Sequence, residues 1–416
     1  MDRIIVEGGR RLAGSVTVGG AKNAALPILA SSILTNGVCE YHNVPELKDI
    51  NSIKELLTHI GARISCQGNT IQVDASGINN HEAPYEIVRK MRASILVLCP
   101  LVARLGRARV SLPGGCAIGA RPINFHLSGL ETMGAEITLE HGYVDARAEK
   151  LTGGNIFFDV PSVTGTENLL MAAVLAEGVT RIRNAAREPE VKALADVLVQ
   201  MGADIKGAGT SDIIVTGVTT LNPVSATIIP DRIETGTFMV GAALTGSDIT
   251  IENTEPAHLE GQIDKLQQTG AKIAVNGTAI RVEGTDVIKS VDVKTLPYPG
   301  FPTDMQAQFM VLMAVARGLS VITETIFENR FIHVSELLRM GADITISGNA
   351  AMIGGVPSLS GAPVMASDLR ASASLVLAGL VATGKTEINR VYHLDRGYEK
   401  LEEKFEQLGA AIKRVR

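Results

Sequence analysis

A chain of 416 residues with 45% hydrophobic and 20% charged residues has the composition of an ordinary globular protein of two or three domains, and 4% aromatics without tryptophan make its cores aliphatic. A formal net charge of -5 argues against a general nucleic-acid or anionic-membrane binder, and four cysteines without CxxC or Cys/His spacing argue against a disulfide framework or a zinc module. Glycine, at 42 residues, exceeds the usual ~7% without a collagen-like period. Met1-Asp2-Arg3 does not open a signal peptide, and the longest apolar stretch, Ala371 to Gly384, is too short and too rich in Ser, Thr and Gly to span a bilayer, so a cytoplasmic location is expected.

In chain order, an Ala-rich apolar helix from Lys22 leads to Gly37 and a strand, and an amphipathic helix from Lys48 closes at a Gly-Ala pair, Gly61, before an alternating strand and its return. The same order recurs. Gly-Ala pairs fall at Gly61, Gly134, Gly202, Gly270, Gly341 and Gly409, spaced by 68 to 73 residues, and an interleaved series falls at Gly37, Gly106, Gly178, Gly246, Gly318 and Gly384, spaced by 66 to 72. Six units, each with two helices and about four strands, divide into two α/β domains of three. The expected domains are 22–229 and 1–21 plus 230–416, with the run before Lys22 completing the last unit. Helical stretches that are apolar nearly all round, such as Asn168 to Ala176 and Phe309 to Ala316, are expected to be buried.

Charges recur at fixed offsets before these glycines. Lys22, Arg92, Arg232, Asp304 and Arg370 fall at the starts of the apolar helices, with Glu167 slightly later in the third unit. Lys48, Arg121, Glu188, Arg330 and Arg396 fall near the starts of the amphipathic helices, with Glu255 and His258 in the fourth unit. A cation at a helix N-terminus opposes the helix dipole unless an anion binds there, so this pattern points to a heavily phosphorylated ligand. No Walker motif or dinucleotide fingerprint is present. The segment Leu112-Pro-Gly-Gly-Cys116-Ala-Ile-Gly-Ala-Arg121-Pro-Ile-Asn124 reads as a loop that carries a thiol beside a cation, suited to a nucleophile or acid/base group. Cys39, Cys66 and Cys99 lie in strand-like or apolar runs and read as inert.

Gly-Gly-Cys116-Ala-Ile-Gly-Ala-Arg121-Pro, Gly-Gly-Ala-Lys22-Asn23-Ala-Ala-Leu-Pro, Lys90-Met-Arg92-Ala-Ser, Pro-Ser162-Val163 with Thr166-Glu167-Asn168, Pro-Gly-Phe-Pro-Thr303-Asp304, Glu328-Asn-Arg330, Asp368-Leu-Arg370 and Asp395-Arg396-Gly resemble the UDP-N-acetylglucosamine 1-carboxyvinyltransferase family of enolpyruvyl transferases over the whole chain. The resemblance implies a two-domain inside-out α/β barrel with three repeats per domain. It also implies transfer of the enolpyruvyl group of phosphoenolpyruvate to the 3'-hydroxyl of UDP-N-acetylglucosamine by addition and elimination, with release of phosphate, the first committed step of peptidoglycan synthesis. By the same resemblance Cys116 is the proton donor and the site of a phosphoenolpyruvate adduct, and Asp304 is the carboxylate at the sugar hydroxyl.

Lys22 and Asn23 would hold phosphoenolpyruvate, with Arg121, Arg370 and Arg396 on its phosphate and carboxylate. Arg92, Arg121, Pro122, Ile123, Asn124, Phe125, Ser162, Val163, Thr164, Gly165, Asp304 and Ile326 would line the sugar-nucleotide site, supported by Arg330, Glu188, Lys48 and Asp368. One departure is visible: Thr164-Gly165 stands where the family pattern has glycine and then a small residue. The resemblance implies no cofactor, since arginines supply the charge that Mg²⁺ would otherwise provide, and it implies a monomer. Two rival enzymes are a shikimate-3-phosphate enolpyruvyl transferase, which lacks this cysteine loop, and a cyclase of RNA ends, disfavoured by the acidic balance. A catalytically silent regulatory paralogue is the reading from a different class.

Overall fold

The computed structural model of the chain describes residues 2–112 and 123–416, so Cys116, Arg121 and Pro122 lie outside the described residues. Among these residues the strands form six four-stranded sheets of one topology. In the first, Val38–His42 pairs antiparallel with Thr70–Asp74, which pairs antiparallel with Arg63–Gln67. Ser225–Thr227 adds parallel to the free edge of Val38–His42. This strand comes from the end of the third unit and closes the set of three on itself.

The other set closes through the N-terminal residues. Arg3–Glu7 lies between Lys385–Asn389 and Ala411–Val415 in the last sheet, and Ala13–Thr17 joins Asp248–Glu252 in the fourth. Two bodies result: residues 20–112 with 123–229, and residues 2–19 with 230–416. Each has its own core. At the start of the first body the Ala21 amide donates to the Ile229 carbonyl at 2.7 Å, and Gly20 packs so close to the Asn43 carbonyl that a Cβ there would clash.

The two helices of each unit differ in burial as their patterns predict. Val163–Ala173 and Gln306–Ala314 are buried on nearly every side, Gly165 to Ala173 in the first and every residue in the second. Lys48–His59 instead buries one stripe, led by Ile50, Ile53, Leu56 and Leu57. All six Gly-Ala glycines have positive φ, from 86° at Gly341 to 113° at Gly61. The left-handed turn ends the helix and starts the next strand without the steric cost a Cβ would bring.

Two of the expected helix starts lie elsewhere. Arg330 sits in the turn before Val334–Arg339, and Arg396 ends the 3-10 helix Val391–Arg396, ahead of Leu401–Gln407. Local hydrogen bonding of the preceding turns delays both helices by about one turn. No helix among the described residues is long and apolar enough to cross a membrane.

Candidate functional site

In the first body, Lys22 begins the helix Lys22–Ser31, whose N-cap, Ala21, has no side chain able to accept from the first-turn amides. The positive end of the helix dipole and the Lys22 ammonium therefore coincide, an arrangement suited to an anion. Lys22 is buried and held 3.2 Å from the Asp49 carboxylate, itself buried in the first turn of Lys48–His59. Asn23 follows half-buried, and Lys48 is exposed. Arg92 opens the 3-10 helix Arg92–Val97, which runs into Leu98–Leu105.

Ile123 precedes the helix Asn124–Thr132, and Phe125 stacks edge-on against Phe158 at 5.5 Å. Ser162 caps Val163–Ala173 by accepting from the Gly165 amide at 3.2 Å, which accounts for serine before Val163-Thr164-Gly165. Behind these residues lies a buried chain that the sequence reading missed. Asn168 donates to the Ile95 carbonyl at 2.8 Å and to His126 Nδ1 at 2.8 Å, and accepts from the Cys99 amide at 3.2 Å. His126 Nε2 lies 3.4 Å from the Thr164 hydroxyl. The only signal for this in the sequence is the amide that opens the apolar stretch Asn168 to Ala176. Glu167, one residue before, is fully buried, and desolvation with the nearby charges of Glu190 and Glu188 pushes its carboxyl well above the usual range.

In the second body, Asp304 lies in the 3-10 turn Thr303–Met305 that leads into Gln306–Ala314. Its Oδ1 accepts from Arg330 Nη2 at 2.9 Å, and its Oδ2 accepts from Arg370 Nε at 3.1 Å and Nη2 at 2.9 Å. Both arginine side chains are nearly inaccessible, at 4% and 3%, whereas Asp304 keeps 25% of its side chain exposed. The single carboxylate thus pairs with two buried cations and still presents part of itself to solvent.

Burial opposes the charge on Arg370, yet Asp304, Tyr398 and Asp231 together raise its pKa above the ordinary arginine value. Arg370 also lies 5.2 Å from the centre of the Tyr398 ring. The Tyr398 hydroxyl is fixed at 2.9 Å from Thr237 and 3.0 Å from Gln308, a polar knot joining neighbouring apolar helices. Asp368 caps Leu369–Val381, accepting from the amides of Arg370 and Ala371 at 2.9 and 3.1 Å. Asp395, next to Arg396, is gripped by Arg414, which also bonds Glu402. The aspartate of the Asp395-Arg396-Gly motif therefore anchors the turn from which Arg396 projects. Ile326 is exposed on the loop after Leu319–Thr323. The structure thus brings Asp304, Arg330 and Arg370 together, places Lys22 with Asp49, and sets Thr164 by Ser162 and His126.

Desolvation, reinforced by Arg92, lowers the pKa of His126 from 6.5 to about 4, and desolvation likewise brings His333 to about 4 although Asp368 works the other way. Both imidazoles are neutral in the folded chain. The unfolded chain binds more protons between pH 6.5 and 4, so this stability is complete above 6.5 and is lost as pH falls toward 4, by on the order of 3 kcal/mol for each histidine. Thermal midpoints should drop between neutrality and about pH 4.5, with a smaller drop in His126→Gln and His333→Gln. Equal slopes in all three proteins would show that neither histidine controls the acid limit.

A profile of the family described as EPSP synthase (3-phosphoshikimate 1-carboxyvinyltransferase) matches residues 6–405. The UDP-N-acetylglucosamine 1-carboxyvinyltransferase of Desulfosudis oleivorans is 80% identical over 415 residues, and that of Geotalea daltonii is 58% identical, each alignment covering all of both chains. Among solved structures, the enolpyruvyl transferase NikO from Streptomyces tendae superposes with a TM-score of 0.90 at 26% identity, over all of this chain and 99% of that one. An EPSP synthase from Acinetobacter baumannii superposes over the full length of both chains with a TM-score of 0.75 at 21% identity, a likeness of fold.

Proposed function

The chain belongs to the EPSP synthase family of enolpyruvyl transferases, and from that premise we propose that it transfers the enolpyruvyl group of phosphoenolpyruvate to the 3'-hydroxyl of UDP-N-acetylglucosamine, with release of phosphate. Full-length identity of 80% to a relative that carries that activity in its name is the observation behind this choice of acceptor. A shikimate-3-phosphate acceptor is less well supported, because the EPSP synthase that shares the fold is only 21% identical. The product supplies peptidoglycan synthesis, on which cell shape and division depend. A nucleotide-activated sugar is a cytoplasmic substrate, so the same reading puts the enzyme in the cytoplasm.

The two substrates carry about five negative charges, and like charges ~4 Å apart at an effective dielectric near 20 repel by about 4 kcal/mol. Lys22, Arg370 and Arg396 offset part of that charge, assisted by Arg121, and Asn23 adds a neutral donor. Guanidinium forks match the carboxylate and phosphate of phosphoenolpyruvate in shape. Arg92, Ile123 to Phe125, Ser162 to Gly165 and Ile326 take the nucleotide side.

The acceptor hydroxyl adds to the central vinyl carbon while a proton passes from the Cys116 thiol to the methylene carbon. A proton then returns from that carbon to the Cys116 thiolate as phosphate leaves, which restores the double bond in the transferred group. The exposed part of the Asp304 carboxylate, held between two guanidinium groups, orients the acceptor hydroxyl and takes its proton. Cys116 also forms an adduct with phosphoenolpyruvate through its sulfur.

Phosphate release from phosphoenolpyruvate, measured separately with UDP-N-acetylglucosamine and with shikimate-3-phosphate, tests the assignment. Release with the sugar nucleotide alone is expected. Release with shikimate-3-phosphate alone would move the chain to the rival activity, and none with either would make it a silent paralogue.

A further inference from the structure

Glu324 is a buried carboxylate, 3% exposed, at the end of Leu319–Thr323. The bonds it accepts come from two hydroxyls and two amides. Its Oε1 accepts from the Thr295 hydroxyl at 2.8 Å, the Ile326 amide at 2.7 Å and the Phe327 amide at 3.3 Å. Its Oε2 accepts from the Thr303 hydroxyl at 2.9 Å. An ionised carboxylate is an acceptor only, so four converging donors, three on Oε1 and one on Oε2, suit it in a dry place.

These donors belong to three separate stretches of chain. Thr303 is the residue before Asp304. The Ile326 and Phe327 amides form the loop that presents Ile326, and Phe327 lies 5.5 Å from the guanidinium of Arg330, the second partner of Asp304. Thr295 pins the same loop twice more, its hydroxyl accepting from the Thr325 amide at 2.9 Å and its carbonyl from the Thr325 hydroxyl at 2.6 Å. From the other side, the Glu324 backbone is paired to Asn349, amide to carbonyl at 2.8 Å and carbonyl to side-chain amide at 3.1 Å. The carboxylate is thereby a fixed point from which Asp304 and Ile326 are both set.

We propose that Glu324 is a positioning residue for the acceptor half of the site: through Thr303 it fixes the carboxylate at the acceptor hydroxyl, and through the Ile326 and Phe327 amides it fixes the loop that selects the sugar nucleotide. This rests on the acceptor assignment above. Bonds that hold two contact residues in register act on how well the acceptor is bound and aligned, and misplacement by a fraction of an ångström is enough to lose rate.

Thr303→Val removes the hydroxyl and keeps the shape of the side chain, while Thr303→Ser keeps the hydroxyl. Thr303→Val is expected to raise KM for UDP-N-acetylglucosamine on the order of tenfold, to leave KM for phosphoenolpyruvate within about threefold, and to unfold within a few degrees of the unaltered chain. Thr303→Ser should retain the original KM. Glu324→Gln should raise the same KM by a smaller factor, since the Thr303 hydroxyl can turn and accept from the new amide.

A KM for the sugar nucleotide and a kcat both within about threefold of the original in Thr303→Val, or a loss in Thr303→Ser as large as in Thr303→Val, would overturn the proposal. So would a fall in kcat, with both KM values unchanged, that matches an equal loss of folded protein by circular dichroism, the mark of less folded enzyme. No turnover of UDP-N-acetylglucosamine by the unaltered chain would instead overturn the acceptor assignment, which the unaltered protein tests by itself.

Discussion

Asp304→Asn is expected to lower turnover by about 10²- to 10⁴-fold, the range associated with a positioned acid or base. The amide cannot take the proton of the acceptor hydroxyl. It also offers one oxygen where Arg330 and Arg370 now bond two, and it turns an NH₂ donor toward a buried guanidinium. Removing one partner of a fully buried ion pair costs about 3 to 5 kcal/mol, and the partial exposure of Asp304 brings the expected stability loss nearer 2. Phosphate-release kinetics and a thermal melt separate the two effects. Turnover within about tenfold of the unaltered enzyme would remove Asp304 from the proton inventory.

Cys116→Ala should abolish the mass increment that phosphoenolpyruvate leaves on the intact protein, and turnover should fall by about 10²- to 10⁴-fold with it. The same variant should resist a thiol-alkylating epoxide such as fosfomycin, because the nucleophile is gone. Cys39 and Cys99 are buried, and desolvation pushes the Cys99 thiol well above its ordinary pKa, so neither competes for the reagent. Cys66 is exposed and serves as the internal control, since its alkylation would add mass without loss of activity. An adduct that persists in Cys116→Ala would move the covalent chemistry to another residue.

The repeat was legible because its punctuation is chemical. A glycine that must take positive φ after a helix leaves the same mark in each unit, and the six sheets follow one topology from those marks. The charged residues at the starts of the apolar helices were equally visible, as polar side chains interrupting apolar periodicity. Arg330 and Arg396 were harder to place. The turns ahead of Val334 and Leu401 are held by local hydrogen bonds that no periodicity reports.

Glu324, the chain from Asn168 through His126 to Thr164, and the knot of Tyr398, Thr237 and Gln308 escaped the sequence for a common reason. Each links residues tens to more than a hundred positions apart, and each member alone reads as an ordinary polar residue. The same holds for Asp49 beneath Lys22 and Arg414 beneath Asp395. These residues fix one another across the fold, and such pairings have no local pattern.

By itself the sequence determined the six-fold repeat, the aliphatic cores and the alternation of apolar and amphipathic helices, because periodicity and glycine act over a few neighbouring positions. Only the tertiary structure decided that Ser225–Thr227 closes one set of sheets and Arg3–Glu7 with Ala13–Thr17 the other, and that one carboxylate, Asp304, pairs with two arginines 26 and 66 residues away. Strand pairing and buried charge compensation depend on which distant segments share a dry interior. Burial makes an unpaired group costly enough to dictate its partner, and burial is set only once the chain has folded.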